Sequence, residues 1–180
     1  MANYAINGFG RIGRMVLRRL AQTGELEKVV AVNDLTDNKT LAHLLKYDST
    51  QGIFDAEVSY DDEYITVNGH KIHASAERDP AKLPWSDWGA EVVLESPGFC
   101  VDREGASKHL SAGSKKVLIS APAKEPDLTM CLGILVVLYN AGEHHIVSNA
   151  SCTTNCQAPM AKGLNDDGGI VRGFMRPIHS

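Results

Sequence analysis

The sequence predicts an α/β protein with a doubly wound, mostly parallel sheet, and its length leaves room for one such domain and the start of a second. Three observations carry that prediction. Short β-branched runs alternate with amphipathic helical runs from the start of the chain. A glycine turn, Gly8-Phe9-Gly10-Arg11-Ile12-Gly13, joins the first strand to the first helix. No internal repeat or low-complexity tract interrupts the alternation, and the longest apolar run, Met130 to Tyr139, is broken by Gly133 and too short to span a bilayer.

Taken in order, Tyr4-Ala5-Ile6 reads as a short buried strand. After the glycine turn, Ile12, Val16, Leu17 and Leu20 share one helix face, which leaves Arg11, Arg14, Arg18 and Arg19 for solvent or ligand. Gly24 ends that helix, and Val29-Val30-Ala31-Val32 forms a second strand ending at Asn33-Asp34. Leu41, Leu44 and Leu45 predict a helix over 36–47. Tyr64-Ile65-Thr66-Val67 and Lys71-Ile72-His73-Ala74 flank Asn68-Gly69, the mark of a hairpin. Glu91 to Glu95 is a buried strand closed by Ser96-Pro97-Gly98. A helix over 103–110 stops at Gly113, and Lys116 to Ser120 returns to the sheet. Ile146-Val147 then leads into Ser148-Asn149-Ala150-Ser151-Cys152-Thr153-Thr154-Asn155-Cys156, and a helix with Ala158, Ala161 and Leu164 leads out.

Strand, glycine turn, helix, strand and acid, in that order, make a dinucleotide-binding fingerprint of Rossmann type. Gly8 permits the tight turn, Gly10 lets the backbone approach a pyrophosphate, and Gly13 lets helix pack on strand. Asp34, about 20 residues beyond Gly13, is placed to accept from a ribose diol and to repel a 2′-phosphate, which favours NAD over NADP. The plainer alternative is a glycine turn in an unrelated α/β protein. Ligands of such sheets bind beyond the strand C-termini, where Asp34, Ser96 and Ser120 fall.

Cys152 falls in the first turn of its helix, where free backbone N–H groups and the helix dipole favour a thiolate nucleophile. The neighbouring hydroxyls and amides suit substrate oxygens or phosphate. A cysteine can equally be a small buried hydrophobe, the reading for Cys100 and Cys131; Cys156, one turn on, reads as structural. Cys152 and Cys156 with His144 and His145 do not have zinc-site spacing, so no metal is expected. His43, His70, His73 and His109 have no partner that the sequence names.

The 180 residues carry a net charge of −4, with 43% hydrophobic and 22% charged residues, values of an ordinary soluble domain without a nucleic-acid footprint. The four cysteines follow no secreted disulfide framework, and no leader precedes the first glycine turn; cytoplasm is the expectation.

With these residues assembled, six stretches resemble the glyceraldehyde-3-phosphate dehydrogenase family over nearly the whole chain. They are Asn7 to Arg14, Val32-Asn33-Asp34, Tyr47-Asp48-Ser49, Glu77-Arg78-Asp79-Pro80, Leu118 to Pro122 and Ser151 to Cys156, the last the most specific. The resemblance implies an NAD cofactor contacted by Gly8, Gly10, Arg11, Ile12, Gly13, Asn33, Asp34, Arg78, Ser96 and Ser120. It implies that Ser151 and Thr153 flank the substrate phosphate and that His179 pairs with a catalytic Cys152. The implied substrates are glyceraldehyde 3-phosphate and inorganic phosphate, with no nucleic-acid or membrane partner and a homotetramer for the full-length family. The resemblance further implies that residues 1–149 are the Rossmann-type NAD-binding domain and 150–180 only the truncated beginning of an α+β catalytic domain, because family chains run to about twice this length. The alternatives are a non-catalytic NAD-binding module and a relative that oxidises erythrose 4-phosphate. Pro97, Pro177 and the apolar run Ile134 to Leu138 depart from the family pattern.

Overall fold

The computed structural model describes residues 2–178. Strand β1 (Tyr4–Asn7) and β2 (Val29–Asn33) lie on either side of helix α1 (Arg11–Gln22) in the chain, as the first three apolar runs predict. Helix α2 (Asn38–Lys46) starts at Asp37, whose carboxylate accepts from the Thr40 N–H at 2.9 Å and replaces a missing helical acceptor. Strands β3 (Tyr47–Asp48) and β4 (Gly52–Ile53) make a small antiparallel ladder, too short for any pattern in the sequence to announce. Strands β5 (Val58–Tyr60), β6 (Tyr64–Val67) and β7 (His70–Ser75) form a meander, with Asn68 and Gly69 both at positive φ in the expected hairpin turn. Strand β8 (Val92–Glu95), helix α3 (Arg103–Ser111), β9 (Lys116–Ile119), β10 (Leu128–Thr129), β11 (Ile146–Ser148) and helix α4 (Cys152–Gly168) complete the described chain.

Nine strands join in the order β10-β11-β9-β8-β1-β2-β7-β6-β5. All pairings from β10 to β7 are parallel; only β6 and β5, at one edge, are antiparallel. The order reverses direction at β1, the switch point where such sheets open a crevice. Alternation of side chains sends Ile6 and Val32 to one face with Leu17, Leu41 and Leu45, and Ala5 and Ala31 to the other with Trp85 and Val93. Beneath α3, Ala106 packs on Val117, Ile119 and Ile146. Each of the larger aliphatic side chains contributes about 1.5–3 kcal/mol by leaving water, so these layers fix the strand order.

Three expectations need correction. Arg18, placed by periodicity among solvent-facing arginines, is buried. Its guanidinium donates to the carbonyls of Leu45 (2.6 and 2.9 Å), Gly52 (3.1 Å) and Lys46 (3.2 Å) and lies over the Phe54 ring. The last carbonyls of α2 lack helical donors and carry the negative end of its dipole, so a cation suits them. Leu44 is on the outer side of α2, and Ala42 takes the inward position with Leu41 and Leu45. Cys156 is exposed and packs no core, because none of the residues of α4 is buried. The apolar run at 130–139 forms turns and a single 3-10 turn, Val136–Leu138, with Leu132 and Val137 exposed.

Candidate functional site

The site grows out of the switch point at the end of β1. Gly8 has φ +85°, and an added Cβ would lie 2.5 Å from the Pro97 nitrogen; at Gly13 it would lie 2.3 Å from the Gly8 carbonyl oxygen. Both positions therefore require glycine, one for conformation and contact, the other for contact alone. Gly10 is different: nothing lies within 4 Å of where its Cβ would be, so the N-terminus of α1 stands open. No side chain caps that terminus. Its free N–H groups point into this open space, the arrangement that holds a phosphate.

Asp34, just past β2, is anchored toward the same turn. Its Oδ2 accepts from the Phe9 N–H at 2.8 Å and its Oδ1 from the Thr36 N–H at 3.0 Å. Arg14 lies behind the turn, donating to the Phe9 carbonyl at 2.9 Å. Burial pushes its pKa down, while Asp48 and Asp34 oppose that shift.

Beside the turn is a cavity of about 470 Å³, walled by Asn7, Asn33, Asp34, Arg78, Pro97 and Phe99. Gly8 also lines it, so four sequence-predicted residues, Gly8, Asn33, Asp34 and Arg78, come together here. Cys100 lines it as well, half-buried rather than in the core; burial, with help from Glu95, pushes its thiol pKa up. Asn7, Pro97 and Phe99 were not among the sequence-predicted residues. Asn7 was legible, since it ends a strand at the switch point; Phe99, an exposed aromatic, carries no periodic signal.

A second depression of about 580 Å³ runs over the sheet face beside α1. Ile12, Leu94, Leu118, Ser120, Ala150 and Cys152 line it. This groove brings together Ile12, Ser120 and Cys152, predicted from three distant stretches. Cys152 is the first residue of α4 and is exposed. Ser151 caps the helix by accepting from the Thr154 N–H at 2.9 Å. The preceding turn is held at Ala150, φ +61°, and by Asn155, whose amide donates to the carbonyls of Asn149 (2.6 Å) and Ser151 (3.0 Å). A non-glycine residue in the left-handed region costs about 1 kcal/mol, so this turn is set by its surroundings.

The remaining predicted residues flank these two depressions. Gly10 and Arg11 sit exposed at the start of α1, Gly13 is buried beneath the turn, and Thr153 follows Cys152 in α4. Ser96 follows β8, and its buried Oγ has no hydrogen-bond partner, a polar atom left over at the glycine turn. His179 lies outside the described residues. Among the described residues, no group of three or more His, Cys, Asp and Glu could hold a metal, and no helix is long and apolar enough to cross a membrane.

Residues 2–103 match the family model described as the NAD binding domain of glyceraldehyde 3-phosphate dehydrogenase, and residues 151–180 match that of its C-terminal domain. The first match alone covers more than half of the chain. The chain belongs to the glyceraldehyde-3-phosphate dehydrogenase family. Among its relatives, glyceraldehyde-3-phosphate dehydrogenase 1 of Bacillus subtilis is 59% identical over 175 residues, covering 97% of this chain and 52% of the relative. The Clostridium acetobutylicum glyceraldehyde-3-phosphate dehydrogenase is 53% identical over 180 residues, 100% of this chain and 53% of its own length. Glyceraldehyde-3-phosphate dehydrogenase 2 of Synechocystis is 49% identical over 182 residues, 100% of this chain and 54% of its own. The chain thus spans about half the length of the curated family members it matches. Its glycine turn and Asp34 lie within the NAD-binding match, and Cys152 lies at the start of the C-terminal one.

Proposed function

We propose that the chain binds NAD and that, within a full-length protein, it supports oxidative phosphorylation of glyceraldehyde 3-phosphate to 1,3-bisphosphoglycerate. One observation carries the reading: an exposed Cys152 in the first turn of α4 shares a groove with Ile12 and Ser120, directly beside the glycine turn. The open space at Gly10, the anchored carboxylate of Asp34 and the leftover Ser96 Oγ fit a dinucleotide. In this reading Gly8, Asn33, Asp34 and Arg78 hold the adenosine end. Gly10, Arg11 and Gly13 shape the pyrophosphate seat, and Ile12, Ser96 and Ser120 face the nicotinamide end.

The Cys152 sulfur adds to the aldehyde carbon, and the free amides of the first turn of α4 face the oxyanion that forms. His179, assigned by resemblance, takes the hydroxyl proton of the thiohemiacetal. NAD, when bound, supplies a hydride acceptor. The Cys152 thioester that results is cleaved by inorganic phosphate, which releases the acyl phosphate and restores the thiol. Ser151 and Thr153 stand where substrate or attacking phosphate is held. Domains of 1–149 and 150–180, a glycolytic role in the cytoplasm and a homotetramer belong to the same proposal.

A second reading has a specific observation behind it. Helix α4 buries none of its residues, which favours NAD binding without turnover for these 180 residues by themselves. Titrating NAD and NADP against the purified chain, with melting temperature as readout, tests the shared part. NAD raising the melting point and Asp34→Ala narrowing the gap to NADP is the expected result. No shift at millimolar NAD overturns the cofactor assignment. NADH formation from glyceraldehyde 3-phosphate and phosphate, lost in Cys152→Ser, separates the two readings.

A further inference from the structure

A sealed polar chain crosses from beneath α3 to the wall of the cavity. Glu95, at the end of β8, and His109, on α3, are both fully buried, with His109 Nε2 2.7 Å from Glu95 Oε2. Trp85 Nε1 donates to His109 Nδ1 at 2.9 Å, so the other ring nitrogen carries the proton and donates to Glu95. The Asn7 side-chain amide donates to the same Glu95 oxygen at 2.7 Å. Its carbonyl then accepts from Asn33 Nδ2 at 2.7 Å. Asn33 Oδ1 in turn accepts from Ser75 Oγ and from the Glu77 N–H, both at 2.8 Å, while its Nδ2 also donates to the Glu77 carbonyl at 2.9 Å.

The direction of each bond follows from its first member. An asparagine side chain has two ends of similar shape and opposite hydrogen-bonding character. With two donors converging on Glu95 Oε2, Asn7 must turn its NH₂ inward and its oxygen toward Asn33. Asn33 must then present its oxygen to the Glu77 amide. The segment so held runs directly into Arg78, and Asn7, Asn33, Glu77 and Arg78 all line the cavity. A buried ionisable pair is a weak source of stability, and Glu95 Oε1 has no partner at all. An apolar pair of similar volume would hold α3 to the sheet as well.

We propose that Glu95 and His109 are positioning residues for the adenosine end of the dinucleotide: they set the amide orientation of Asn7 and Asn33 and, through Asn33, the 77–78 wall of the cavity. This rests on the NAD reading above, and the experiment separates the two.

Binding of NAD and of AMP to the full chain is measured by calorimetry for the parent, Glu95→Gln, His109→Gln and His109→Phe. Glu95→Gln keeps the shape but adds a donor where only acceptors stood. It is expected to bind both ligands about tenfold more weakly, the worth of one charge-assisted hydrogen bond, at temperatures where its circular dichroism matches the parent. His109→Gln, whose amide offers one donor and one acceptor, is expected to keep more of the affinity than His109→Phe, which offers neither. A merely structural role would lower the melting point of both variants without that rescue. Should Glu95→Gln fail to fold, the two His109 variants decide: equal affinities for both overturn the proposal. A folded Glu95→Gln that binds like the parent overturns it too and leaves the NAD reading standing. A parent chain that binds neither NAD nor AMP overturns the NAD reading itself.

Discussion

The last two glycines of the turn, Gly10 and Gly13, should fail in different ways, and the structure gives the sizes. At Gly13 an added methyl meets the Gly8 carbonyl oxygen at 2.3 Å and the Ile6 Cγ2 at 2.9 Å. The first obstacle is backbone and cannot swing away. Overpacking of this kind costs about 1–3 kcal/mol, while alanine recovers about 1 kcal/mol of helix propensity within α1. A 2.3 Å clash with backbone oxygen puts the cost at the upper end of that range, so a net loss of about 2 kcal/mol lowers the melting temperature of a chain this size by about 4–8 °C. Gly10→Ala meets nothing within 4 Å, lies at the N-cap with an ordinary φ of −71°, and should melt within about 2 °C of the parent. Its methyl would instead stand in the phosphate seat. At NAD one hundred times the parent's Kd, ligand binding adds about 2.7 kcal/mol to the parent, and Gly10→Ala should lose most of that gain. Differential scanning fluorimetry with and without NAD reads both effects. Gly13→Ala melting with the parent, or Gly10→Ala keeping the full NAD shift, would refute the geometric argument.

Three further outcomes follow from buried or shielded groups. Arg18→Met should destabilise the chain by about 2–3 kcal/mol in urea unfolding, because it strips charged donors from the carbonyls of Leu45, Lys46 and Gly52; a loss under 0.5 kcal/mol, roughly the effect of a surface change, would contradict its burial. Asp127 is the clearest pH-linked group. Burial opposes its charge, but the amides of Ile146 and His145 and the Arg103 guanidinium outweigh that and hold its pKa at about 2, against an ordinary 3.8. Its contribution is therefore complete above pH 3.8 and disappears as the pH falls through about 2. Asp127→Asn should cost about 1–2 kcal/mol at neutral pH, after allowance for solvent screening, and progressively less as the pH falls from 3.8 through about 2, as acid titrations of both proteins would reveal. Under native conditions iodoacetamide should label exposed Cys152 and Cys156 before half-buried Cys100, with buried Cys131 last; peptide mass mapping that finds Cys131 first would contradict the packing.

What could be read from the sequence was local in origin. The glycine turn, the β-branched runs and the Asn68-Gly69 hairpin each carry their meaning within a few residues, and the structure reproduces them. Gly8 and Asp34 were legible from the glycine turn and from the strand ends where such sheets gather ligands, whereas Asn33 and Arg78 were implied only by the family resemblance. What escaped depends on contacts across long stretches of chain. Arg18 looked solvent-facing by helical period, and only the carbonyls at the end of α2, 27 residues on, give it a reason to be buried. The histidines were mute for the same cause: His109 finds Glu95 and Trp85, His70 finds the Val29 carbonyl, and His73 stacks on Trp88.

The groove shows the opposite limit of pattern reading. Ile12 and Val16 obey the helical period for burial, yet they line an open depression together with Leu94 and Leu118 from the adjacent strands. Periodicity reports which side chains share a face, not what covers that face. On the Ile6 face, α1 and α2 cover the β1, β2 and β6 side, while the β8–β9 side is left as groove. Cys152 opens at the edge of that same strip. Apolar walls beside a thiol and a phosphate seat exclude water from a charge-transfer step once something lies over them, and that strengthens each hydrogen bond the first turn of α4 can offer. The apolar residues that look misplaced by packing are thus in the right place for the chemistry proposed at Cys152.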